Sequence, residues 1–73
     1  MVELDIDEEQ AKAQIEACEA ELKGLKSQGA ENPDAELSLK LALSFFKVGL
    51  FAKAFLSAVR ARRLIAERNI RKG

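Results

Sequence analysis

Apolar positions along the chain fall into three blocks, each with the spacing of a helix. In the first, Ala11, Ile15, Cys18, Leu22 and Leu25 recur at steps of four, three, four and three and make one narrow stripe. Glu16, Glu19, Lys23 and Lys26 occupy the reverse face. Asp7 is placed as an N-cap, Gln10 completes a capping box three residues later, and Ile6 precedes the cap where it can staple against Ala11. Lys26 and Gly29 close the block, as a basic last turn and a left-handed C′ residue do. Gly24 lies inside it, at a cost of about 1 kcal/mol relative to alanine, and suits a close approach of two backbones.

The second block opens at Asn32-Pro33, a side-chain cap followed by a proline at the first helical position, with Asp34 and Glu36 in the first turn. Glu36, Lys40, Ser44 and Lys47 form one thin polar stripe, and nearly every other position is apolar. Such a helix has to be covered on two sides. It is therefore expected to be the central helix of the array or to meet another subunit. Gly49 ends it and leaves room only for a tight reversal. The third block packs through Phe51, Ala54, Phe55, Ala58, Ala61, Leu64 and Ile65, with Leu56 and Val59 on its flank.

The pattern thus predicts an all-α chain in a single domain, residues 1–73. Its helices span about 8–28, 33–48 and 50–70 in an up-down-up array. Leu37, Leu39, Leu41 and Leu43 also alternate with a period of two, but leucine, alanine and lysine favour helix and β-branched residues are scarce there. The stretch from Leu37 to Leu56 holds all four phenylalanines around Gly49 and is expected to form the core.

The second and third blocks resemble a single tetratricopeptide-repeat hairpin. Leu41-Ala42 is similar to that family's leucine-glycine pair, Phe45 to its first-helix aromatic, and Gly49 with Phe51 to the glycine-x-aromatic of its turn. Ala54 and Ala61 are similar to the alanines of its second helix. Ala58 stands where that family prefers a large aromatic, and no proline closes the unit. The match covers about half of the chain with no second copy, so a stacked array within this chain is excluded. Gly49, Ala54-Phe55 and Ala61 also resemble the pattern of small archaeal three-helix proteins of unknown function. Arg60, Arg62 and Arg63 replace an aromatic, a histidine and a glycine in that pattern, and the resemblance implies no activity.

Composition narrows the chemistry. At 73 residues a domain buries only about 60% of its unfolded surface, and the one cysteine, Cys18, has no partner for an internal disulfide. The acidic start MVELDIDEEQ does not read as a secretory signal. Lys40, Lys47 and Lys53 interrupt the apolar stretches well short of a membrane span. A cytoplasmic chain with no membrane segment is the expectation. Histidine, tyrosine and tryptophan are all absent, which removes most catalytic constellations. Cys18 falls on the apolar stripe and reads as a buried thiol. The acidic cluster Glu3, Asp5, Asp7, Glu8 and Glu9 lacks the glycine and alternating oxygen ligands of a calcium loop, and no phosphate-cradling glycine motif is present. No metal, no cofactor and no enzymatic activity are expected.

Net charge is zero, yet residues 1–36 carry eleven acidic and three basic side chains while residues 37–73 carry one and nine. The halves are therefore net −8 and +8. Arg60, Arg63, Arg68, Arg71 and Lys72 make the end of the third helix basic and are the candidate contacts for nucleic acid or an acidic partner. The sequence favours their neutralisation by Glu31, Asp34 and Glu36 at the start of the second helix. Arg62 sits nearer the apolar side and reads as a stem extended over the core. The leading functional expectation is a helical interaction module that self-associates or binds a protein through apolar surface of helices two and three. Nucleic-acid binding through the basic end is the alternative.

Overall fold

The computed structural model describes residues 6–70, with side chains through Glu67. Three helices account for the described secondary structure: α1 (Glu8–Ser27), α2 (Pro33–Lys47) and α3 (Phe51–Ile70). The all-α three-helix array expected from the pattern is what forms. Each boundary has a local cause. The Asp7 carboxylate accepts from Gln10 N at 3.0 Å, and Gln10 Oε1 accepts from Asp7 N at 3.1 Å, so the capping box satisfies two donors at once. Ile6 packs against the cluster that contains Ala11. Asn32 caps α2 by accepting from Ala35 N at 3.2 Å, with Pro33 following at the first helical position.

Both connections are turned by a glycine in the left-handed region, Gly29 at φ 80° and Gly49 at φ 83°. The bonds Ala30 N to Leu25 O and Gly29 N to Lys26 O close α1, and Leu50 N to Phe45 O with Gly49 N to Phe46 O closes α2 in the same way. A side chain at either glycine would force a strained backbone. Across the second turn, the rings of Phe46 and Phe51 meet edge to face at 5.4 Å.

The packing corrects the expectation about the centre. α3 packs extensively against both other helices, whereas α1 and α2 touch each other least. The middle position therefore belongs to α3. Its buried face is Ala54, Ala58, Ala61 and Ile65, set against Ala11, Ile15, Cys18 and Leu22 of α1 and Ala35, Ser38 and Ala42 of α2. Most of these side chains are small, so the helices close by backbone approach and the bulky groups pack around the seam. Phe45, Phe46, Phe51 and Phe55 are half-buried against one end of this core rather than enclosed in it. Gly24 is not at a close approach either, since a Cβ there would meet nothing within 4 Å.

Candidate functional site

Two surfaces carry the residues that the sequence singles out. The first is the outer face of α3, where Arg60 and Arg63 are exposed one turn apart. They border a shallow depression of about 470 Å³ together with Leu56, Ser57 and Val59. Neither forms an ion pair among the described residues. Glu67 is exposed at the end of the same stripe, seven residues after Arg60 and four after Arg63. The side chain of Arg68, and all of Arg71 and Lys72, lie outside the described residues.

The acids expected to neutralise this end do not serve Arg60 or Arg63. Glu36 turns toward α1 and pairs with Lys26 at 3.7 Å, while Glu31 and Asp34 are exposed without an ion pair among the described residues. The nearness of the two helix ends is nonetheless real, because Asn32 Nδ2 donates to Leu64 O at 3.3 Å.

Arg62 is the residue whose role the sequence misses. Its Nε and Nη2 both donate to Glu21 Oε2, at 3.1 and 3.0 Å, and its Nη1 donates to Gln14 Oε1 at 2.8 Å. Gln14 and Glu21 are two turns apart on the flank of the α1 stripe, so one guanidinium clasps α1 against α3. Hydrogen bonding to Glu21 raises the Arg62 pKa above its ordinary value. The signal in the sequence is the pair of polar residues at i and i+7 flanking Cys18, but nothing in it identifies a partner 41 residues away. Beneath this clasp the Cys18 thiol is fully buried, and burial, followed by the nearby Glu21 charge, pushes its pKa up to about 11. A protonated, enclosed thiol is a poor nucleophile.

The second surface is the outside of α2. Leu37, Leu41 and Val48 are 61%, 54% and 69% exposed and fall at i, i+4 and i+11 of one helical row. Phe45, half-buried, extends the same ridge one turn past Leu41. Lys40 and Lys47 flank the row on α2, and Lys53 of α3 places its ammonium 5.8 Å from the centre of the Phe45 ring. On the Lys40 side of the row, Leu43 and Lys40 border a groove of about 520 Å³ between α1 and α2. Leu50 and Leu56 are further exposed leucines on the α3 side.

No buried side-chain polar atom lacks a partner among the described residues. Nor do three or more acidic, cysteine or histidine side chains converge there. None of the described helices is long and apolar enough to cross a membrane. Comparison with protein-family models, with curated proteins and with solved structures finds no match to this chain.

Proposed function

We propose that this chain is a small, non-enzymatic, cytoplasmic interaction module that works by self-association or by binding a protein partner through the outer face of α2 and the flank of α3. The observation that carries the reading is the exposed row Leu37, Leu41 and Val48. Single exposed apolar residues are ordinary on protein surfaces; a row of large ones along three turns is the form in which one helix presents itself to another. The hairpin's resemblance to a tetratricopeptide repeat agrees with this reading.

Sedimentation across a concentration series, together with titration of amphipathic helical peptides, tests it. Association or peptide binding that disappears in a Leu37→Glu, Leu41→Glu double variant of unchanged helicity is the expected result. A chain that stays monomeric and binds no helical peptide overturns it.

Nucleic-acid binding is a second reading, favoured by Arg60 and Arg63, exposed and without an ion pair among the described residues, and opposed by Glu67 on the same stripe. It requires salt-sensitive binding of single-stranded RNA or duplex DNA that is lost when Arg60 and Arg63 are neutralised together. No such binding at low salt removes it.

A further inference from the structure

The outer face of α2 has a charge as well as an apolar row, and the charge selects among occupants. Beside the row from Leu37 onward every ionisable residue up to Leu56 is a lysine, Lys40, Lys47 and Lys53; the acids of α2 precede it in the first turn, Asp34 exposed and Glu36 paired with Lys26 of α1. All three lysines are exposed and border the row, the first two along α2 and the third from α3 through its contact with Phe45. From Leu37 to Val48 the row runs for about 16 Å, three helical turns. We infer that this face is a docking strip for an acidic amphipathic helix of a different protein, a segment of about three turns with large apolar residues at i, i+4 and i+7 or i+11 and glutamates or aspartates beside them. This inference rests on the interaction-module reading and names its partner.

A second copy of the chain fits less well. Two such faces brought together antiparallel about a two-fold axis through the middle of the row would set Lys40 of one copy against Lys47 of the other. The acidic helix of a second copy, α1, offers the right charge but not the right surface. Ile15, Cys18 and Leu22 are already buried against its own α3, and the exposed positions of its outer face hold Lys12, Ala13, Glu16, Ala20 and Lys23 instead of large apolar groups. An anionic bilayer shares the attraction to lysine, but interfacial helices present a broad apolar face. Here the row is narrow, with polar Ser44 beside half-buried Phe45 in its third turn and Lys40 and Lys47 along one edge.

The test uses the full chain and three designed 18-residue helical peptides of equal helicity and identical leucine placement, with flanking positions filled by glutamate, lysine or glutamine. Fluorescence anisotropy measures affinity, and amide chemical-shift changes locate the contact. The glutamate peptide is expected to bind best, to shift Leu37, Leu41 and Val48, and to weaken as salt rises. Lys40→Glu with Lys47→Glu is expected to weaken the glutamate peptide about tenfold and to improve the lysine peptide. Because both lysines are exposed, this variant keeps the fold, and circular dichroism verifies that. Equal binding of all three peptides overturns the acidic specificity while leaving an interaction face in place. So does self-association that depends on Leu41, detected by sedimentation. Binding to phosphatidylglycerol vesicles in preference to the glutamate peptide assigns the strip to a membrane and overturns the inference. No binding by any peptide, with no self-association, removes the interaction-module reading as well.

Discussion

α1 and α2 invert the usual link between hydrophobicity and burial. α1 is the more polar helix, and its large apolar residues Ile15 and Leu22 are buried. α2 is the more apolar, and it buries Ala35, Ser38 and Ala42 while leaving Leu37, Leu41 and Leu43 exposed. The difference lies in what each helix meets. α1 brings branched side chains to the alanine face of α3, where large meets small and the seam fills. α2 brings small residues to the same helix, so the two backbones close directly and its leucines are left on the outside. Burial here follows complementarity of size across a seam rather than apolar content along a helix.

The sharpest way to break this comparison is to shorten one large residue on each helix. Ile15→Ala is expected to cost about 2–4 kcal/mol through lost transfer and the cavity left behind. Leu41→Ala is expected to change stability by less than about 0.5 kcal/mol. Urea denaturation of both variants decides, and equal midpoints would mean that α2 is covered in solution. Next in size is overpacking of the shared seam. Ala58→Leu forces bulk into a site with no exposed surface and is expected to cost about 1–3 kcal/mol, while Leu56→Ala on the outer face of the same helix is expected to be nearly neutral.

Closure of the α1 side is also legible in the pH dependence. An unfolded thiol ionises near pH ~8.5, whereas burial holds Cys18 protonated to about 11. The folded chain therefore keeps a proton that the unfolded chain releases. Below about pH 8.5 the group has no effect, and stability falls as pH climbs from there toward the folded value, by at most about 1.4 kcal/mol per unit. Cys18→Ala is expected to remove that component, which shows as a shallower loss of urea midpoint between pH 8 and 10.5; identical slopes would mean an accessible thiol. Smallest is a gain: Gly24→Ala, with open space for the added methyl, is expected to stabilise α1 by about 0.5–1 kcal/mol in thermal melts.

Helix ends were the readable part of this chain because their chemistry is local. Asp7 with Gln10, Asn32 with Pro33, and the two turn glycines each act within a few residues, and the helices end within a residue of the expected bounds. The inward face of α2 was not readable, because a helix apolar around most of its surface gives no direction until the alanines of α3 supply one. The exposure of Arg60 and Arg63 follows from their spacing. The engagement of Arg62 does not, since its partners lie on a helix two connections away, and the choice of Lys26 by Glu36 likewise depends on how α1 and α2 settle together.

The side chain of Asn32 carries a consequence for register. Ala54, Ala58 and Ala61 recur almost every turn, so a seam made of them alone would look much the same if α2 slid along α3 by one turn, about 5.4 Å. Two features end that ambiguity: the tight turn at Gly49 holds one end of the seam, and at the other Asn32 is buried at the start of α2, accepts from Ala35 N and donates to Leu64 O. After a one-turn slide its amide would be left without the Leu64 carbonyl, in a place closed to water, at a cost of about 1–3 kcal/mol. The alanines let the two helices come close, and this amide pins the far end of the alignment that the Gly49 turn sets at the near end.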